Sequence, residues 1–419
     1  MPSAPPHREH PVPESAFPES SWRYPGWRVV LTCFVMALFA WGFGFYGHGV
    51  YLAELQRLHG WPTATLATAS TMSYLLGALC VAFVGDAVRR VGARALVLGG
   101  VAAMALATLT LPFITAPWMI YVVYLPLAAG WAALGLGAIT NILGLWFTAR
   151  RGMAISLALN GASSGGIVVV PALLWMSEHF GFVDAMWIAT AAMTALLVPA
   201  ALFWLGPPPV RLVAGMVQAG EKAPISKREA LRSLAFWSVA GPFALALTSQ
   251  VGFIVHQIAF LSPTIGRAGA GLAVAITTVM AVVGRVGLGF VIDRLDQRRA
   301  SAASFVSQAA ALLAMAATAN PFVLYAACAV FGFSVGNLIT FPALIIQREF
   351  DARAFGVLAA LMTAVGQFTY AFGPGILGAL RDATGNYTVA LVFCAAVYAV
   401  ATAAILMRPK ASRSPQDDL

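Results

Sequence analysis

Charge is what this sequence has least of. Asp, Glu, Lys and Arg make up 10% of its 419 residues against 60% hydrophobic residues, and the mean hydropathy is +0.82. A soluble chain of this length needs far more charge to cover its surface, so soluble classes are excluded. The apolar residues fall in runs of about 20 to 25, the length that crosses a hydrocarbon core about 30 Å thick. Cysteine is also scarce. Cys33, Cys80, Cys328 and Cys394 lie inside apolar runs without metal-ligand spacing, and they read as small packing residues, neither disulfide partners nor metal ligands. Carboxylates are missing from the middle of every run: all 16 Asp and Glu fall in tails, loops or helix ends. An intramembrane hydrolase would need a nucleophile with an acid/base partner, or metal-ligand spacing; neither occurs, and no cofactor site is indicated.

What is present is helix after helix. Spans are predicted near 27–52, 61–84, 95–115, 118–145, 152–176, 183–205, 234–261, 268–292, 300–319, 321–346, 355–380 and 387–407, giving an all-α membrane protein of twelve transmembrane helices. Residues 1–26 are Pro-rich and polar and read as a disordered tail, with no cleavable signal peptide ahead of the first span. The expected organisation is a six-helix bundle over 27–205, a charged linker over 206–233, a second bundle over 234–407 and a tail over 408–419.

Placing the loops on alternate sides sorts the 25 Lys and Arg sharply. Twenty-one fall on the side of both termini, Arg57, Arg267 and Arg381 fall on the other, and Arg285 belongs to neither. The positive-inside rule then puts both termini in the cytoplasm, in a bacterial inner membrane. The net charge of +9 orients the chain in a bilayer and implies no nucleic-acid partner. Several tryptophans, including Trp22, Trp61, Trp118 and Trp237, fall near predicted interfaces. Trp41 and Trp131 fall at mid-depth and are expected to pack in the bundle or line a cavity.

The second half repeats the first. Gly85-x-x-x-Arg89-Arg90-x-Gly92-x-Arg94 follows helix 2, and Gly289-x-x-x-Asp293-Arg294-x-Asp296-x-Arg298 follows helix 8; Arg151-Gly152-Met153 and Phe355-Gly356-Val357 open helices 5 and 11 at the same offset. Repeated halves around a midplane site are the architecture of alternating-access carriers. The loop pattern resembles G-x-x-x-D-R-x-G-x-R of the major facilitator superfamily, over nearly all of 27–407. Arg89 departs from the Asp of the first copy and Asp296 from the Gly of the second, and Asp86 is the candidate to stand in for the missing acid. Four stretches resemble the monocarboxylate transporter and oxalate/formate exchanger branch: Gly47-His-Gly-Val-Tyr-Leu-Ala-Glu-Leu with Gly60-Trp61, Trp146-Phe-Thr-Ala-Arg-Arg-Gly-Met-Ala, His256-Gln-Ile-Ala-Phe, and Arg285 in helix 8. The resemblance implies the major facilitator fold of two pseudo-symmetric six-helix bundles, with Gly85, Arg90, Gly92, Arg94, Gly289, Asp293, Arg294 and Arg298 forming the gating motif.

Arg285 lies about 12 Å short of the basic-side boundary at Asp293. It could snorkel to headgroups, but helical side chains lean toward the helix N-terminus, which here points it to the membrane centre. A guanidinium held there needs a wet cavity or an anion, and its planar fork suits a carboxylate. In the resembled branch an arginine at this place holds the substrate carboxylate. His256 could bond a carboxylate or carry a proton, or could sit neutral on a backbone carbonyl. His48 and Glu54 read as an outer-rim pair with a possible proton role, and Tyr46, where animal members carry a helix 1 lysine, either bonds substrate or packs. Asn141 and Asn337 are secondary substrate candidates that equally suit interhelical hydrogen bonds. The runs Gly161-Ala-Ser-Ser-Gly-Gly and Gly284…Gly287…Gly289 suit close backbone approach; no P-loop lysine follows them.

Ala281 replaces the branch's helix 8 aspartate, Pro263 replaces the acid after the helix 7 histidine, and no Lys or Arg occurs between Gly356 and Gly375, where the oxalate exchanger has a lysine. One buried cation balances one carboxylate better than two. The expected function is therefore secondary transport of a small lactate- or pyruvate-like monocarboxylate by alternating access, proton-coupled through His256, His48 or Glu54, with the protein acting as a monomer. The alternatives are anion exchange of the oxalate/formate type and proton-driven export of drugs or other anions.

Overall fold

The computed structural model describes residues 18–206, 226–289, 295–351 and 354–407. The rest of the expected tails and linker, with Asp293 and Arg294 of the second loop motif, lies outside the described residues. Every regular element among the described residues is a helix, and ten are long and apolar enough to cross a membrane. Two of the ten, Thr63–Phe113 with 51 residues and Leu234–Leu288 with 55, would run more than about 75 Å at a rise of about 1.5 Å per residue. That is over twice a hydrocarbon core of about 30 Å, so each must be two crossings. The break sits at a glycine in each case: Gly92 at φ 83° and Gly266 at φ 73°, a backbone region that side-chain-bearing residues rarely adopt. Gly92, one of the loop-motif residues, thus has a direct conformational reason to be glycine.

Dividing at these turns gives twelve spans: α1 (Gly26–His59), α2 (63–91), α3 (93–113), α4 (Met119–Gly144), α5 (Arg151–His179), α6 (Phe182–Trp204), α7 (234–265), α8 (267–289), α9 (Gln297–Ala317), α10 (Pro321–Glu349), α11 (355–384) and α12 (Thr388–Leu406). Several run longer than the sequence spans; α1 continues to His59, where Gly60 at φ 66° stops it.

The two halves pack by one plan. Helix α1 meets α5 as α7 meets α11, α3 meets α6 as α9 meets α12, and α2 meets α4 as α8 meets α10. The repeat reaches single hydrogen bonds. Arg94 at the start of α3 donates from Nε to the Leu205 carbonyl beyond α6 (3.2 Å), and Arg298 at the start of α9 donates to the Ile405 carbonyl near the end of α12 (3.1 Å). Arg298 is 2% exposed and also grips both oxygens of Glu349 at 2.8 Å, so this end of the second bundle is locked by one guanidinium. Among the described residues Asp86 pairs with Arg89 within α2 and with no other helix. On the same face Glu19 accepts from the Thr148 and Arg150 amides (both 2.9 Å), holding the chain before α1 against the α4–α5 turn. Partial burial alone would raise the Glu19 carboxyl, but these donors keep it below its ordinary range. The clamp's contribution is therefore full above that ordinary range and is lost as pH falls through the lowered value.

Helix packing in lipid depends on close backbone approach, since hydrocarbon offers no hydrophobic drive between helices. The tightest case is α8 on α10, where a Cβ at Gly284 would strike the Phe333 carbonyl. Gly284→Val is expected to abolish folded, monodisperse protein on size-exclusion chromatography in detergent, whereas Gly287→Val, where a Cβ meets nothing within 4 Å, is expected to elute as the parent does.

Candidate functional site

Helix α8 sends Thr278 and Arg285, two turns apart and so on one face, toward the first half. Opposite them, α1 leaves α-helical geometry for one π turn, Gly42–Tyr46, and α5 does the same at Gly165–Val169. Such turns widen the helix by one residue and are common at functional sites. The turn in α1 ends on Tyr46, which lies near Thr278 and within electrostatic reach of the Arg285 guanidinium. Two residues selected from sequence, Tyr46 and Arg285, are thus brought together from opposite halves.

Arg285 has no carboxylate partner among the described residues, and its Nε is buried without a hydrogen bond. It lies along the junction between the two segments of α10, where a Cβ on Gly336 would come 3.2 Å from Nε. The next residue, Asn337, is 2% exposed; its amide donates to the Phe333 carbonyl (3.2 Å) and its Oδ1 has no partner. A free guanidinium edge and an unpaired amide oxygen are costly in a membrane interior unless something else meets them. Tyr74 of α2 and Tyr370 of α11 close the same region, ring centroids 5.7 Å apart across the halves, and Tyr74 lies within electrostatic reach of Tyr46. Thr278, Tyr74 and Tyr370 escaped the sequence reading. A tyrosine or threonine in an apolar helix carries no signal until the facing helix is known.

The other candidates lie elsewhere. His256 is 1% exposed, with Nε2 2.9 Å from the Pro374 carbonyl and Nδ1 3.1 Å from the Tyr387 hydroxyl. A carbonyl only accepts, so Nε2 carries the proton, and in the neutral ring Nδ1 accepts from Tyr387. Both nitrogens are therefore engaged by the second half. His48 is fully buried, not at a wet rim. Its ring stacks on Tyr74 (centroids 4.8 Å), meets Tyr124 edge-on (4.9 Å), and has no hydrogen bond at either nitrogen. Asn141 donates to the Gly137 carbonyl (2.7 Å), and its Oδ1 faces Gly85 of the loop motif, at the basic end of the first half. Arg90 is exposed on that face, and Gly289 ends α8.

Glu54 is 1% exposed at the opposite end, where it accepts from Arg57 (2.8 Å) in its own helix and from Arg267 (3.1 Å) at the start of α8. Asp382 of α11 accepts from the Ala64 amide of α2 (2.7 Å), and Thr71 accepts from the Gly375 amide (3.2 Å). Four hydrogen bonds that cross the halves gather in this outer set. The protein is therefore sealed on the face away from its termini.

Two six-helix bundles joined at one face, with an arginine between them that has no carboxylate partner among the described residues, define a membrane carrier. Residues 32–271 and 262–418 match the sequence profile described as Major Facilitator Superfamily, and the chain belongs to that superfamily. It is 26% identical over 330 residues to Monocarboxylate transporter 13 of Bos taurus, covering 76% of this chain and 74% of that one. It is 27% identical to MFS-type transporter pynF of Aspergillus niger, covering 57% and 54%. The crystal structure of nucleoside transporter NupG superimposes with a TM-score of 0.74 at 14% identity, covering 91% and 98%, which confirms the fold. The expected superfamily, the likeness to monocarboxylate transporters and the transporter class all stand.

Proposed function

We propose that the protein carries a small monocarboxylate across the membrane by alternating access, with the solute's carboxylate held by Arg285 and Tyr46 between the halves. The observation that carries this reading is the Arg285 guanidinium, whose Nε is buried without a hydrogen bond and which has no carboxylate partner among the described residues, near a phenol of the other half. A carboxylate between them would accept from both, neutralise the charge and meet the free Nε, and Asn337, next in the chain to Gly336, stands beside the same group. Holding groups on both halves makes the complex sensitive to their separation, which is what coupling solute to rocking requires. The bodies that rock are taken as 27–205 and 234–407.

The distribution of Lys and Arg supports a bacterial inner-membrane orientation with both termini cytoplasmic. The face on which the halves are joined is then the outer one. Proton linkage rests on His256, His48 or Glu54. Of these, Glu54 is the group that joins the halves directly, through its ion pair with Arg267. Counterflow of labelled lactate in proteoliposomes tests the reading. Saturable exchange of lactate but not of neutral lactamide is expected, faster uptake under an inward proton gradient supports symport, and gradient-independent exchange supports the anion-exchange alternative. Equal handling of acid and amide would remove Arg285 from the mechanism.

A further inference from the structure

The three basic residues that sequence places on the outer side, Arg57, Arg267 and Arg381, end α1, begin α8 and lie near the end of α11, far apart in the chain. In the fold all three line one cavity of about 610 Å³. Arg57 comes from the first half with Glu54 and Leu174; Arg267 and Arg381 come from the second with Phe260 and Tyr387. We propose that this cavity is a second anion site, separate from Arg285, that takes a carboxylate with an aromatic body and steadies the sealed conformation.

The donors are in surplus. Each guanidinium has five N–H groups, and the protein uses few of them: Arg57 gives Nε and Nη2 to Glu54, Arg267 gives Nη1 to Glu54, and Arg381 gives Nη1 to Asp382 (3.0 Å). Two carboxylates answer three cations, so one positive charge is left over. The arginine side chains stay 47%, 20% and 32% exposed, so their remaining donors are within reach of an entering anion. The wall beside them is apolar and aromatic, with the Phe260 and Tyr387 rings set edge-on at 5.8 Å next to Leu174. A hydrated inorganic ion gains nothing from that wall, while an aryl carboxylate gains burial of its ring and a cation over its face. Because the lining comes from both halves, an occupant bridges them and favours the state in which they touch.

The test is thermal unfolding of the full-length protein in detergent with benzoate or with neutral benzamide. The parent and Arg285→Ala are both expected to be stabilised by benzoate and not by benzamide. The stabilisation is expected to vanish when Arg57→Gln and Arg381→Gln are added to Arg285→Ala. Loss of the benzoate shift in Arg285→Ala alone, or its persistence after both vestibule changes, overturns the proposal. A second measurement does not depend on those variants folding. Ser262→Cys on the cavity wall, made on Cys80→Ala, is expected to react several-fold more slowly with a thiol reagent when benzoate is present; an unchanged rate overturns the site. Lactate counterflow reports on the central site alone, so failure there and failure here are separate results.

Discussion

Arg285→Met is expected to leave a protein that unfolds at the same temperature as the parent, or higher, and yet exchanges monocarboxylate at least 100-fold more slowly at low solute concentration. The two halves of that result have one cause. A charge-assisted hydrogen bond contributes about 1.5–3 kcal/mol, so losing a bidentate grip on a carboxylate removes about 3 kcal/mol or more, or about 100-fold in affinity. Removing one member of a buried ion pair destabilises by about 3–5 kcal/mol, because the partner is stranded. Arg285 has no such partner among the described residues, so its removal strands no carboxylate there and relieves the cost of keeping its Nε from water. Arg285→Lys is the sharper companion. It keeps the charge and loses the fork, and it is expected to fall nearly as far in exchange rate. A fall of many degrees in unfolding temperature for either variant would place Arg285 in the structure's support and leave the solute to other groups.

Glu54→Gln is expected to shift the resting population toward the state open at the outer face, by about 30-fold. Glu54 is 1% exposed and receives a guanidinium from each half, so one neutralising change weakens both the local pair with Arg57 and the crossing pair with Arg267. Arg267 keeps partial access to water, which holds the loss to about 2 kcal/mol, below the full cost of a buried pair. The shift is read from spin-label distances between the outer ends of the halves, with labels at Leu58 of α1 and Val389 of α12, both exposed. A distance distribution unchanged from the parent would show that Asp382 on the Ala64 amide and Thr71 on the Gly375 amide suffice for the seal. Enhanced labelling of Ser262→Cys in the Glu54→Gln background is expected alongside the longer distances.

Much of the fold was legible in the sequence, because a bilayer permits so little else. Apolar length, loop charge and the internal repeat each report on the same twelve spans, and Gly92 marks a turn that only glycine makes easily. Arg285 was legible for a related reason: a lone cation in an apolar run has few excuses. Tyr46 was legible only through its resemblance to a lysine position. What stayed hidden depends on how faces meet. The sequence places His48 six residues before Glu54, which suggests one wet rim; the fold buries the ring among Tyr51, Tyr74 and Tyr124 while Glu54 goes to the seal. His256 carries the same letter and similar depth but meets the Pro374 carbonyl at the start of the second segment of α11. No periodicity forecasts that carbonyl. The convergence of Arg57, Arg267 and Arg381 was likewise invisible, since three loops distant in sequence share a cavity only once the halves close.

The most direct test of the central claim is an experimental structure of the full-length protein soaked with a heavy-atom-marked carboxylate small enough to be exchanged, such as 2-chloropropionate, located by its anomalous signal. The expected position puts the carboxylate oxygens at about 2.8 Å from the Arg285 guanidinium, within hydrogen-bonding distance of the Tyr46 hydroxyl. Density confined to the outer cavity or beside His256, with Arg285 pointing to lipid or paired to a protein acid, would contradict it.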